Sequence, residues 1–241
     1  MDYFKGDFTE ENYRILLKKI TYDSVFYTEI DSNDKYTLLR HDVDFSVHRA
    51  YALSVIEREE RVKSTYFFQL GSSFYNIFED DIRKLIVKIK KLGHKIALHF
   101  DPTQYEINSK DDLEKYLNFE KNILENLFMV NVEVFSFHNP THEILKFDEY
   151  KYANMVNTYA RFFAEDVPYC SDSNGYWRHD RLEEFLDRGY HKSQILTHPG
   201  WWQEKVISPR SRIRRCINGR ANNVYMNYSN LLDTSGRENV K

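Results

Sequence analysis

The feature that most constrains the fold is a regular alternation of strand-like and helix-like segments. Runs rich in β-branched and aromatic residues, such as 64–70 and 193–198, are typical of strands. Amphipathic stretches, such as 80–93 and 110–128, are typical of helices. The two kinds of segment alternate through the chain between residues 36 and 198. Such alternation predicts βαβ units that build a parallel sheet in an α/β protein.

Histidine or aspartate stands at the carboxyl end of five predicted strands. The segments at these ends are HDVD (41–44), HFD (99–101), FHNP (137–140), SDS (171–173) and THPGWW (197–202). The carboxyl ends of parallel strands meet at one edge of a sheet or barrel, where functional groups usually lie. We therefore expect these side chains to converge on one site.

The first of these ends, in the stretch LLRHDVDFS (38–46), places two carboxylates close together. In extended backbone, Asp42 and Asp44 point to the same side and His41 points to the other. Two adjacent carboxylates repel, whereas a divalent metal bound by one of them leaves the other free to act as a base. Ligation by histidine and carboxylate suits Zn²⁺, and also Co²⁺, Fe²⁺ or Ni²⁺. The alternative is that Asp44 or Ser46 only caps the following helix.

The composition narrows the class of protein. The 241 residues fit one α/β domain, and a net charge of −3 gives no sign of a nucleic-acid or anionic-membrane partner. The two cysteines form no disulfide framework, and the chain contains neither a signal-like apolar segment nor a membrane-spanning run. These features predict a cytoplasmic protein. The arginine-rich stretch 208–220 is interpreted as a solvated helix face or packing tail, with a phosphate or nucleic-acid patch as the alternative; the last residues are expected to fray.

Five segments resemble, in order, the motifs of the polysaccharide deacetylases of the NodB-homology type, which are the family 4 carbohydrate esterases. These segments are LLRHDVDFS (38–46), GHKIALHFD (93–101), FSFHNPT (135–141), YCSDSNGYWR (169–178) and ILTHPGWW (195–202). The resemblance covers residues 36 to 202, and within the family the chain looks most like the WbmS-like branch.

The resemblance implies a distorted (β/α)7 barrel in a single domain, 1–241, with a core of about 36–202 and a C-terminal extension, 203–241. It also implies roles for individual residues. By analogy, the general base is Asp42, and the metal ligands include Asp44 and His99. The general acid is His198, and Asp172 orients this acid and raises its pKa. The residues expected to line the acyl pocket or to contact substrate are Trp177, Leu196, Trp201, Arg40 and Arg178.

The chain departs from the family pattern at two places. Position 103 is threonine where the second motif has another metal-binding histidine, so the third ligand must come from elsewhere. The candidates are His138 first, Asp101 second and His41 third. The third motif also lacks the arginine that tethers the base, and Arg40 or Arg178 is expected to replace it.

The function implied is that of a metal-dependent hydrolase. It would remove an N-acyl group, acetyl in the first instance, from a sugar in surface-polysaccharide biosynthesis. The cofactor would be a divalent metal, with zinc as the first choice and cobalt, nickel or iron as alternatives. The substrate would be an N-acylated sugar, a nucleotide sugar or a lipid-linked glycan. Two alternatives stay open: a catalytically impaired glycan-binding member of the same fold, or a hydrolase of another non-peptide C–N bond.

Overall fold

The computed structural model describes residues 4–240 of the chain and contains nine strands and seven α-helices within them. The strands are β1 (Tyr36–Val43), β2 (Thr65–Phe68), β3 (Lys95–Phe100), β4 (Val134–Phe137), β5 (Lys151–Tyr152), β6 (Met155–Asn157), β7 (Tyr169–Ser173), β8 (Tyr176–Trp177) and β9 (Lys192–Thr197). The helices are α1 (Glu10–Lys18), α2 (Val47–Glu59), α3 (Asp80–Lys91), α4 (Lys110–Phe128), α5 (Arg161–Asp166), α6 (Leu182–Asp187) and α7 (Pro209–Thr234).

All nine strands belong to one curled sheet with the order β5-β6-β4-β3-β2-β1-β9-β7-β8. Seven of them, from β6 to β7 in this order, are mutually parallel, and the short strands β5 and β8 pair antiparallel at the two edges. Within residues 4–240 the two edge strands do not pair with each other, so the barrel is incompletely closed. The predicted α/β class and distorted barrel are confirmed.

The inner face of the sheet changes character along the strands. At the amino ends, an apolar layer is built from Leu38, Phe67, Ala97, Val134 and Val156. Because side chains alternate across a strand, positions two and four residues further along the same strands also face inward. On β1, β3 and β4 these positions hold polar groups of the predicted motifs, which therefore meet at the carboxyl end of the barrel: Arg40, Asp42, His99, Ser136 and His138.

Most predicted helices and strands lie where the sequence placed them, with two differences. The ambiguous region 140–165 contains the β5–β6 hairpin and α5, and the predicted helix over 178–189 shortens to α6. The arginine-rich stretch forms the beginning of α7, a helix of 26 residues whose side chains are mostly exposed, which agrees with a solvated helix face. Within the described part of the chain, no helix has both the length and the apolar character needed to span a bilayer.

Candidate metal centre and acid–base pair

Three potential metal ligands meet at the carboxyl end of the barrel. Asp44 follows β1, His99 lies near the end of β3, and His138 follows β4. Asp44 Oδ1 is 3.1 Å from His99 Nε2 and 3.3 Å from His138 Nδ1, and the two ring nitrogens are 3.2 Å apart. Among the candidates for the third ligand, the structure therefore brings His138 to the other two.

The spacing of these atoms fits a small divalent cation. A tetrahedral ion with bonds of about 2.0–2.2 Å to nitrogen and oxygen holds its ligand atoms roughly 3.4 Å apart. The observed separations of 3.1–3.3 Å are close to that value. A carboxylate with two imidazoles is also the ligand type that zinc and other late first-row metals accept.

The hydrogen bond of His99 favours the tautomer that ligation requires. His99 Nδ1 is 2.7 Å from Ser136 Oγ, so a proton on Nδ1 leaves Nε2 free to bind a cation. His138 Nε2 is 2.9 Å from the side-chain amide of Asn139. The contacting amide atom is Nδ2, which donates to Nε2, so this bond does not select the tautomer with a free Nδ1; the flipped amide would accept from Nε2 and leave Nδ1 free.

Asp42 is held as a carboxylate by a buried arginine. Arg40 Nε and Nη2 donate to its two oxygens at 3.1 and 2.7 Å. Burial raises the pKa of Asp42, but the charge and hydrogen bonds of Arg40 outweigh burial and hold that pKa below its usual range. The Arg40 guanidinium itself donates to Thr158 Oγ1 at 2.8 Å and lies over the Tyr159 ring.

His198 and Asp172 form an ion pair in which Asp172 is buried and His198 is partly buried. His198 Nδ1 is 2.5 Å from Asp172 Oδ1, and His198 Nε2 points to within 3.8 Å of Asp44 Oδ2. Burial lowers the pKa of His198, but the Asp172 carboxylate outweighs burial and raises it to about 9. Asp172 also accepts from the backbone N–H of His198 and from Trp202 Nε1. Three donors therefore hold one carboxylate in place.

The spacing of Asp42 and Asp44 suggested that the two carboxylates repel each other. In the structure each carboxylate has its own positively charged or hydrogen-bonding partner. Asp42 has Arg40 as its partner, and Asp44 lies between His99 and His138. Burial raises the pKa of Asp44, but the hydrogen bonds from the two histidines lower it by more. Both groups are therefore ionised. The helix that follows is capped by Ser46, whose Oγ accepts from the backbone N–H of Arg49.

Several residues named from the sequence lie away from this cluster. His41 faces the other side of β1, where its ring nitrogens contact Glu57 Oε1 at 2.5 Å and Thr197 Oγ1 at 2.7 Å. Asp101 accepts from the backbone and hydroxyl of Thr103, where it caps a 3-10 turn. Of the three candidates for the third ligand, only His138 lies within reach of both Asp44 and His99 among the described residues.

The residues predicted to contact substrate lie in different surroundings. Arg40 has no exposed surface, and it tethers Asp42. It was the first of the two candidates for this task. Arg178 is exposed at the end of the β8 edge. Trp177 stacks on Phe8 and donates to Asp7 Oδ2 at 2.8 Å, and Trp201 packs edge-on against Phe45.

Sequence reasoning missed three residues that support the site. Ser136 links His99 to Asp42, with Oγ 3.3 Å from Asp42 Oδ1, and Thr158 fixes Arg40. Trp202, rather than Trp201, reaches Asp172. The strand period could have found Ser136, because it lies two residues before His138 on the same face. Thr158 lies in the region whose secondary structure the sequence left ambiguous.

No protein-family model and no curated protein matches the chain. Solved structures do resemble it. A CE4 family pseudoenzyme from Bacillus anthracis has a TM-score of 0.47 and 15% identity, covering 78% of this chain and 62% of that one. A family 4 carbohydrate esterase from the same organism has a TM-score of 0.43 and 15% identity, covering 88% and 86%. The Streptococcus pyogenes deacetylase PplD in complex with acetate has a TM-score of 0.44 and 14% identity, covering 84% of each chain.

The chain spans about 62–64% of the length of the first three structures that it resembles. The WbmS-like branch stays a prediction. The solved structures that this chain is similar to include members of carbohydrate esterase family 4, the same family that its five motifs resemble.

Proposed function

We propose that the protein is a metal-dependent hydrolase that removes an N-acyl group, acetyl in the first instance, from a sugar. The observation that carries this proposal is the juxtaposition of three groups at one end of the barrel. They are a His–His–Asp ligand set, a buried ionised carboxylate and a protonated histidine. A glycan-binding site without chemistry has no need of a carboxylate base and a histidine acid facing one cation site.

The ligand set would be Asp44, His99 and His138, with zinc as the first choice. A bound divalent cation supplies Lewis-acid chemistry, which lowers the pKa of a nearby water and polarises a carbonyl oxygen. Ser136 orients His99 from behind, as partners of metal-binding histidines commonly do.

Asp42 would act as the general base. Its carboxylate is held by Arg40 and has His99 Nδ1 within 3.8 Å of Oδ2, so it lies beside the ligand set without belonging to it. A water attacking the acyl carbon loses its proton to this carboxylate. The low pKa of Asp42 makes it a weak base, which is sufficient only for a water that is already acidified.

His198 would act as the general acid. Its pKa of about 9 keeps the ring protonated at neutral pH, and Asp172 fixes Nδ1 so that Nε2 faces the site. As the carbon–nitrogen bond breaks, Nε2–H protonates the departing amine. The products are a carboxylate, acetate in the first instance, and a free amino sugar.

The proposal is tested by acetate release from N-acetylated sugars by the purified protein, before and after treatment with a chelator and re-addition of Zn²⁺ or Co²⁺. We expect release that depends on the metal and falls at least about 100-fold in Asp42→Asn, since general-base catalysis contributes roughly 10²–10⁴-fold. Asp34→Asn, at an exposed position, is the matched control and should behave as wild type.

Metal binding without release from any acyl sugar would favour the hydrolase of another C–N bond, or the impaired glycan-binding member, over the deacylase. The family's second metal-binding histidine is missing at position 103, and this feature supports the alternative of a catalytically impaired glycan-binding protein.

A further inference from the structure

The outer face of α7 carries a row of apolar side chains that nothing within residues 4–240 covers. Ile217, Val224, Tyr228 and Leu231 are each between 52% and 62% exposed, and Ala221 in the same row is exposed as well. Successive members of the row are four, three, four and three residues apart. A contiguous row of exposed apolar groups on a soluble protein marks a surface that meets a partner.

The spacing of these residues is that of a two-helix seam. Intervals that alternate between three and four residues give a period of 3.5 and one narrow stripe, which is the pattern of the a and d positions of a coiled coil. We call Ile217, Ala221, Val224, Tyr228 and Leu231 the α7 stripe. It covers two heptads, or about 21 Å of helix.

The contacts that hold α7 on the barrel lie elsewhere around the helix. Arg212 is buried, Cys216 Sγ lies 2.8 Å from the carbonyl oxygen of Phe45, and Arg220 pairs with Glu79. At 3.6 residues per turn, these three positions lie roughly 60–140° around the helix from the middle of the α7 stripe. The stripe can therefore meet another surface without displacing the contacts that α7 already makes.

The charges of α7 run against its own dipole. A helix carries partial positive charge at its amino end and partial negative charge at its carboxyl end. Arg210 and Arg214 lie near the positive end, where they are exposed and have no carboxylate partner among the described residues. Asp233 lies at the negative end, and the last turn contains no basic residue. A single α7 therefore leaves both of its ends without complementary charge.

A second α7 that runs antiparallel supplies the complementary charge. The arginines of each helix then lie beside the carboxyl end of the other, whereas parallel helices would place like charges together. The sizes of the side chains favour the same direction. When a positions face d positions, Ala221 lies opposite Leu231 and Val224 lies opposite Tyr228, so a smaller residue meets a larger one. Parallel helices would instead pair alanine with alanine and tyrosine with tyrosine.

We propose that the α7 stripe is a dimer interface, whose partner is the same stripe of a second copy of this chain in antiparallel orientation. The two copies are related by a two-fold axis that passes between the layers of Val224 and Tyr228, so each copy presents the same surface. Five residues on each side make a small interface, so we expect a dissociation constant of roughly 1–100 µM. This inference does not depend on the proposed function.

The test is sedimentation equilibrium of the purified full chain over a concentration range of about 1–500 µM. We expect the mass to rise with concentration from 29.1 kDa to twice that value. Val224→Asp should weaken the dimer at least about tenfold, because it brings unpaired carboxylates into an apolar seam. Met226→Asp is the matched control, since Met226 is 61% exposed on the same helix but lies about 180° from the middle of the stripe.

Cysteine cross-linking tests the direction of the pair. In the antiparallel arrangement, Ala221→Cys and Leu231→Cys combined in one chain should give a covalent dimer under mild oxidation, and neither substitution alone should do so, because the two positions face each other. In a parallel pair, each single variant would cross-link to its own counterpart. Wild type is the control for the native thiols, since Cys170 is buried and Cys216 is half-buried.

The outcomes separate this interface from any other association of the chain. A dimer that Val224→Asp weakens and Met226→Asp does not, with cross-linking of the double cysteine variant only, supports the proposal. The mass of a single chain at every concentration would overturn it, as would a dimer that survives Val224→Asp. Equal weakening by Met226→Asp, or cross-linking of either single cysteine variant, would also overturn it.

Discussion

At the scale of single residues, the candidate site depends on how each ionisable group is partnered. Asp42 has Arg40, Asp44 has two histidines, and His198 has Asp172. Each pairing sets a protonation state that suits one task. A carboxylate near a cation site acts as a base only if it stays ionised, and a histidine acts as an acid only if it stays protonated.

The acid role of His198 predicts a pH dependence. Its pKa of about 9 means that the protonated form is lost as pH rises through 9, so kcat/KM should fall above that pH. In Asp172→Asn the raising charge is gone, and the alkaline limb should move down towards about 6.5, the pKa of an unperturbed histidine. The measurement is the pH profile of kcat/KM for acetate release.

Asp180→Asn is the control for this profile, because Asp180 pairs with Arg188 near the surface. Its alkaline limb should coincide with that of wild type. An unshifted limb in Asp172→Asn would show that His198 is not the group that titrates.

At the scale of single elements, β1 carries candidate catalytic groups on one face and a supporting polar network on the other. Its inner face carries Arg40 and Asp42, and its outer face carries His41, which bonds to Glu57 in the last turn of α2. Glu57 also accepts from Tyr13 and Tyr66. Burial raises the pKa of Glu57, but the contact with His41 outweighs burial and lowers it to about 2. This polar network fixes the strand that carries Asp42 and leads directly into Asp44.

The hairpin between β7 and β8 depends on Gly175. This residue has φ of +78°, and a Cβ there would lie 2.9 Å from both Arg212 Nη1 and Pro209 Cγ. Gly175→Ala should therefore lower the free energy of unfolding by about 2–4 kcal/mol, from backbone strain and overpacking together. Gly189 is the control, because its φ is +62° but no atom lies within 4 Å of the position that a Cβ would take. Alanine there should cost only about 1–2 kcal/mol.

Denaturant unfolding of both glycine variants measures the difference. Equal losses in the two variants would contradict the close contact of the hairpin with the start of α7.

Glu120 on α4 predicts a second pH effect, on stability. Burial raises its pKa from 4.5 to about 7, although Tyr105 donates to it and lowers the pKa somewhat. A carboxyl group whose pKa is raised on folding contributes stability below its unfolded pKa and loses that contribution as pH rises through the folded value. Relative to Glu120→Gln, wild type should lose about 1–3 kcal/mol between pH 4.5 and 7. Thermal unfolding of both proteins across this range is the measurement, and parallel curves would contradict the raised pKa.

At the scale of the whole molecule, the alternation of strands and helices was enough to predict the α/β class and the edge of the sheet at which the candidate residues gather. The strand period placed Asp42 and Asp44 on one face, and it placed His41 on the other. What the sequence could not give were contacts between distant segments. Thr158 reaches Arg40 across 118 positions, and Trp202 reaches Asp172 across 30. Local pattern carries no information on such pairs.

The choice of the third ligand belongs to the same scale, because it depends on three separate strands. His138 comes close to His99 since β3 and β4 are neighbours in register, with His99 beside Ser136. Strand order decides this, and a chain in which β4 lay elsewhere would leave Asp44 and His99 without a third donor. Our central claim is that these three residues bind one metal ion.

The measurement that tests this claim most directly is the metal content of the purified protein after chelation and dialysis against Zn²⁺ or Co²⁺. Wild type should bind about one ion per chain, and His138→Ala and Asp44→Asn should bind none, because two donors alone hold zinc weakly. His142→Ala, an exposed histidine four residues further along, should bind as wild type does. Binding retained in His138→Ala, or a wild type that takes up no metal, would contradict the claim.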